Sequence, residues 1–365
     1  MIPCFTLRSS LSLAFLLVAS PALTAQILAP ARVIVSVNTS ETSGSLALVD
    51  VAPPWNTTIG VAETGARTVV RSYFGRVYAV DPAGCITVFD AATMAELQKF
   101  ATPDGTTPID IVVPHRDRAV VTDRSGTALL VLDLQRGVFT TGPDLRALAD
   151  DDGNPDMARM LQVGNRIYVQ VQRTDREGVS QGSLLAVLGV YPNPASRQVV
   201  WFDSVIQLNG RRPDHAMQAD ANGSRLWVSA PGVRRDDDSG VTGIEEIDLT
   251  TGTSLGFVFS ELVLTADLGG FVMVDDDRGF AIGHTTFFAS THLHVFHRRY
   301  GHGGELHAGG GSMESLAFDA TTRQVFYPRL DIGDGCVQVW DADTAQPLSG
   351  LLPVGGVPFD LLVVR

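Results

Sequence analysis

The chain has 365 residues, 45% of them hydrophobic and 18% charged, with 36 glycines and 19 prolines; this balance excludes a disordered chain and fits a well-cored globule of many short strands and turns. Acidic residues outnumber basic ones 40 to 27, a formal charge of −13, and there is no Lys/Arg run to track a phosphate backbone, so nucleic acid is excluded as a partner. An acidic envelope of this kind favours cations over anions as ligands.

The first element in chain order is a targeting segment. Arg8 supplies a positive charge, Leu11 to Ala19 an apolar core, and small residues around Ala25 a cleavage site; these are the three parts of a secretory signal peptide over residues 1–25. The apolar run is too short to span a bilayer, and its other reading is a buried first strand or helix. No later stretch is apolar and long enough for a membrane helix, and Leu361 to Arg365 carries no anchor or sorting tail. The expectation is an exported monomer, periplasmic, cell-surface or secreted, whose residues 26–365 form one domain. Cys4 leaves with the signal, so the exported chain keeps Cys85 and Cys336.

From Arg32 onward the chain repeats. It begins with two apolar strands, Arg32–Val37 and Leu46–Asp50, and no strand precedes them. Triplets then follow: 68–72, 76–80 and 86–90; 109–113, 118–122 and 129–133; 157–163, 166–170 and 185–189; 216–219, 225–229 and 244–248; 271–274, 279–283 and 293–297; 314–318, 324–327 and 337–341. The last strand of each group ends 40 to 59 positions after its predecessor, the limits being Asp50 to Asp90 and Gly189 to Asp248, close to the period of a four-stranded propeller blade. Five of the seven end in Asp (Asp50, Asp90, Asp133, Asp248 and Asp341), a residue that bonds its own backbone and starts a turn.

One strand is left over, Pro358–Val364, and one is missing, the inner strand before Arg32. Joining them completes seven blades and leaves no open edge. The fold expected is therefore all-β, a seven-bladed β-propeller closed by one C-terminal strand pairing with three N-terminal strands. An open two-sheet sandwich would not explain the deficit. Cys85 and Cys336 take equivalent positions in blades two and seven, with blade one between them, which is too far for a disulfide.

The segments Thr107-Pro-Ile-Asp-Ile-Val-Val-Pro to Val131-Leu-Asp-Leu and Val354-Gly-Gly-Val-Pro-Phe-Asp resemble the YVTN-type propeller repeat, with its Pro-led inner strand and its valine-rich strand ending in Asp. The likeness extends loosely over residues 28–365. It implies a YncE-like or surface-layer-type propeller of seven blades, a group whose members mostly have no assigned activity, and it brings no catalytic residue with it.

In a propeller the loops leading into the inner strands ring one mouth of the channel. Here they carry Asp110, Asp156, Asp214, Asp267, Glu314 and Asp360, with Arg67 in the remaining blade. Six carboxylates at one mouth repel unless they are solvated, hydrogen-bonded or bridged by a hard cation such as calcium, or unless each caps its own turn. Two long loops open on the same face, Gln172 to Gly182 with Arg173 and Arg176, and Ala230 to Gly243 with Arg234, Arg235 and Asp237; long loops on a rigid scaffold tend to carry function. Asp150 to Asp156 has the partial spacing of a calcium loop without its terminal Glu, so a solvated acidic turn is the competing reading. Six of the eight histidines fall between His284 and His307. His292 and His294 share one strand face and suit zinc or copper, His297 points the other way, and His302 and His307 lie on a Gly-rich connection.

There is no Gly-x-Ser-x-Gly elbow, no His-Glu-x-x-His and no phosphate-cradling loop; Ala308 to Ser312 precedes a strand and reads as a linker. The sequence thus points to a non-catalytic scaffold binding a protein or glycan at the cell envelope. The alternative is a metal-dependent hydrolase or lactonase using the mouth carboxylates.

Overall fold

The two middle strands of every repeat are almost uninterruptedly apolar because each is covered on both faces. In the computed structural model, which describes residues 30–175, 181–192, 198–232, 242–261, 267–284, 290–301, 303–309, 314–330 and 335–365, seven four-stranded antiparallel sheets form a ring. The expected signal peptide, Cys4, His302 and the loop residues Arg176, Arg234, Arg235 and Asp237 lie outside the described residues.

Blade one comprises β1 (Arg32–Asn38), β2 (Ser43–Asp50), β3 (Thr57–Gly65) and the closing strand β28 (Val357–Val364). The other blades take four consecutive strands each: β4 (Val69–Tyr73) to β7 (Glu96–Ala101), β8 (Pro108–His115) to β11 (Val138–Asp144), β12 (Met157–Val163) to β15 (Val200–Gln207), β16 (Met217–Ala219) to β19 (Thr253–Ser260), β20 (Asp267–Met273) to β23 (Gly304–Gly309), and β24 (Ala317–Asp319) to β27 (Leu352–Pro353). β28 lies antiparallel to β1 from Arg32↔Val364 to Asn38↔Val357. The closure is the one expected, a single C-terminal strand beside three N-terminal ones.

Alternate residues of one strand fill two different cores. Leu46 and Leu48 of β2 join Ile34, Val70, Val77 and Phe89 between blades one and two, whereas Ala47 and Val49 join Val33, Phe326, Val337 and Val339 between blades one and seven. A strand covered on both sides reads as a continuous apolar run. The outermost strands face water on one side; in β7 only Phe100 is buried.

The recurring arginine that opens a second strand stands opposite the recurring aspartate that closes the third, as Arg32↔Asp50, Arg76↔Asp90, Arg118↔Asp133 and Arg225↔Asp248. Arg118 and Asp133 are 3.1 Å apart. The aspartates also hold their turns: Asp90 Oδ1 accepts the Ala92 and Thr93 N–H groups at 3.1 and 2.9 Å, and Asp341 Oδ1 accepts those of Asp343 and Thr344 at 3.0 and 2.6 Å. Such bonds favour the charged form and keep both carboxyls below their ordinary pKa.

Cys85 opens β6 (Cys85–Asp90) and Cys336 opens β26 (Cys336–Asp341), in the two blades flanking blade one, and both are free. Among the described residues no helix is long and apolar enough to cross a membrane.

Candidate ligand site at the channel mouth

The innermost strand of each blade has an edge with no further strand beside it, so its N–H groups need another acceptor. Side chains of the preceding blade supply several. Asp360 accepts the Val70 N–H at 2.9 Å, Asp110 the Met160 N–H at 2.9 Å, Gln218 the Met273 N–H at 2.7 Å and the Ser315 hydroxyl the Leu361 N–H at 3.3 Å. Gly270 has a related duty, since a Cβ there would collide with the Glu314 carbonyl of the next blade.

Asp110 and Asp360 also clasp Arg71 of β4. Arg71 Nε is 2.8 Å from Asp110 Oδ1, Nη2 is 3.0 Å from Asp110 Oδ2, and Nη1 is 3.0 Å from Asp360 Oδ2. Burial acts to lower the guanidinium pKa, but the two carboxylates outweigh it and hold Arg71 firmly charged. One arginine thereby ties the inner strands of blades one, two and three.

Next to this clasp the channel widens. A 210 Å³ chamber lined by Arg71 and a 590 Å³ cavity share Arg159, His215, Glu314 and Phe359 in their walls, so they are successive stretches of one passage. The wider stretch is lined by Arg67, Arg124, Arg159 and Arg212, one from each of blades two to five, facing Asp214 and Glu314. Among the described residues the guanidiniums of Arg67 and Arg124 make no hydrogen bond, and Arg212 Nε is buried without a partner. Arg124 is reached by solvent from the cavity yet has protein on most sides. Burial lowers its pKa, Asp214 opposes that shift, and the neighbouring charges of Arg159 and Arg212 add to it. The mouth is a cationic pocket in a strongly acidic protein.

The six carboxylates expected at this mouth are therefore dispersed. Asp110 is fully buried and Asp360 6% exposed, both committed to Arg71 and to inner-strand N–H groups of the following blade rather than to their own turns. Asp156 accepts the Thr174 N–H at 2.9 Å, and burial raises its carboxyl pKa. Asp214 lies 3.2 Å from the His215 ring, Asp267 opens β20, and Glu314 lines both stretches of the channel. Among the described residues no three of the six bring ligand oxygens within 4.8 Å of one another. In the blade-four loop, Arg173 hydrogen-bonds the Gly182 carbonyl at 3.4 Å across the loop base.

Sequence reading missed Arg71, Arg124, Arg159 and Arg212. Two of them left a signal, because Arg71 and Arg159 interrupt the apolar starts of their inner strands, Val69-Val70 and Met157-Ala158. Arg124 sits in a four-residue turn, Asp123 to Gly126, too short to stand out in the sequence as a binding loop.

His292 and His294 do converge, and Glu305 on the adjacent outer strand joins them. His297 faces Asp277 at 3.9 Å, and His307 packs edge-on against Tyr327 with ring centroids 6.0 Å apart.

No protein-family model matches the chain, and no curated protein matches it. Its likeness is to solved structures. A protein from Lactobacillus plantarum is 16% identical over 92% of this chain and 100% of its own, with a TM-score of 0.60. A quinonprotein alcohol dehydrogenase-like protein from Bacteroides thetaiotaomicron is 10% identical over 92% of this chain and 78% of its own, at 0.61. A functionally unknown protein from Desulfotomaculum acetoxidans is 11% identical over 92% and 99%, at 0.57. At these identities the likeness is one of fold, and function has to be argued from the site.

Proposed function

We propose that the protein is an exported, YVTN- or YncE-like propeller that binds a small anionic ligand, such as a carboxylate- or sulfate-bearing glycan of the cell envelope, at the channel mouth. The observation that carries this reading is the convergence of Arg67, Arg124, Arg159 and Arg212 on one 590 Å³ cavity, with Arg67 and Arg124 uncommitted. A concave pocket of this size with a few convergent polar groups suits a small ligand. Guanidinium forks pair bidentately with two oxygens of a carboxylate or of a tetrahedral oxyanion. Export is supported by the N-terminal charge, apolar core and small-residue pattern, and the family likeness by Pro108-Ile-Asp110 and Pro358-Phe-Asp360 at equivalent inner-strand positions.

The hydrolase or lactonase alternative needs a metal held by mouth carboxylates, and Asp110 and Asp360 are already engaged by Arg71. Binding is the better-supported reading.

Calorimetry with citrate, a sulfated disaccharide, a uronate disaccharide and a neutral disaccharide tests it. At least one anion is expected to bind while the neutral sugar does not. Arg67→Gln and Arg124→Gln should each weaken that binding roughly tenfold, the worth of one charge-assisted hydrogen bond. Equal binding of the neutral sugar, or anion binding indifferent to both substitutions, would refute the proposal.

A further inference from the structure

Blade six holds a second cluster, away from the channel mouth. β22 (Thr291–His297) alternates, so His292 and His294 share a face with Phe296, whose ring stacks on Phe259 of blade five with centroids 4.7 Å apart. The neighbouring β23 sets Glu305 opposite His294 through a register shift between Leu293 and His294. The ligand atoms of His292, His294 and Glu305 all lie within 4.8 Å of one another, the one such trio among the described residues. His292 Nδ1 is 3.1 Å from Glu305 Oε1, its Nε2 is 2.7 Å from Ser290 Oγ, and the His292 and His294 rings stack with centroids 6.1 Å apart.

We propose that His292, His294 and Glu305 bind one borderline-soft divalent cation, zinc foremost. Two imidazoles and a carboxylate are a zinc donor set, whereas calcium and magnesium prefer oxygen alone. A tetrahedral ion with bonds of about 2.1 Å holds its ligand atoms roughly 3.4 Å apart, so small side-chain rotations close the trio. Ser290 engages Nε2 of His292 and leaves Nδ1 for the ion, the kind of outer hydrogen bond that orients a ligating imidazole. His294 is 4% exposed and the Glu305 side chain 47%, so the ion enters from the Glu305 side and keeps a fourth position for water. Once bound, it joins the outermost strand of blade six to the strand inside it.

The test uses the whole chain without a His tag, stripped with a chelator and then titrated with zinc by calorimetry. One zinc per chain is expected. Glu305→Gln and His292→Asn should each lower the affinity roughly tenfold or more, and Glu305→Gln, at an exposed position, should leave the zinc-free melting temperature unchanged. Cobalt substituted at the site should show ligand-field absorption that both variants lose. No heat on titration, or one equivalent still bound with unchanged affinity in both variants, overturns the assignment.

Discussion

Arg71 shows how much of this fold rests on single charges. Its guanidinium satisfies two buried carboxylates from different blades, and removing one partner of a buried ionic group costs far more than the pair is worth. Arg71→Ala should therefore destabilise the protein by roughly 3–5 kcal/mol in denaturant titrations. Arg71→Lys should recover only part of this, because one ammonium cannot replace a fork that reaches both acids; a wild-type midpoint for Arg71→Ala would show the clasp to be idle. Glu261 behaves in the opposite sense. Burial pushes its carboxyl up to about 7, against a hydrogen bond from the Leu268 N–H at 2.6 Å, with Asp267 adding to the rise. Because the folded pKa lies above the ordinary 4.5, Glu261 favours the folded state fully only below that value, and its contribution is lost as pH rises through 7. Glu261→Gln should match wild type at acid pH and become more stable by about 2–3 kcal/mol above neutrality, as read from urea unfolding across that range. The turn aspartates were legible because their partners are two and three residues away. Asp110 and Asp360 were legible only as residues near a channel, since what they hold lies up to 290 positions off.

The three inner strands of each blade were readable, because they are largely apolar and regularly spaced; the outermost strand of each, polar and exposed as in β7, left no such pattern. Ile244-Glu-Glu-Ile is an instructive exception within β18 (Gly243–Asp248). Both glutamates are buried: Glu245 accepts the Asn209 and Gly210 N–H groups at 2.8 Å each, and Glu246 receives Arg298 of blade six at 2.7 Å. Adjacent strand residues face opposite ways, so one acid serves the segment joining blades four and five and the other serves the interface with blade six. Neither partner could be inferred from the strand alone. The closing strand was legible from arithmetic, since one inner strand was absent at the start and one spare at the end. Removing residues 358–365 takes away the partner of β1 and the buried Leu361 and Val364, each worth about 1.5–3 kcal/mol. The truncated chain should lose cooperative thermal unfolding, and adding the missing peptide should restore part of it; an unchanged melting temperature would contradict the closure's role.

At the scale of the whole molecule, net charge misled. A formal charge of −13 suggested cations at the mouth, yet Arg67, Arg124, Arg159 and Arg212, one from each of blades two to five, line it beside Asp214 and Glu314. A ring gathers side chains that are distant in sequence, so total charge says little about any one concavity, and the local field is set by which residues the inner strands and their loops turn inward. The acids meanwhile serve turns, clasps and interblade contacts. The pairing of β28 with β1 has a further consequence, in time rather than space. More than 300 residues separate Asn38 from Val357, and at synthesis rates of about 5–20 residues per second the first blade waits roughly 15 s to a minute for its fourth strand. Throughout that interval β1 presents an unpaired edge to every other nascent chain nearby, so the moment of greatest exposure to misassembly falls before the last strand emerges.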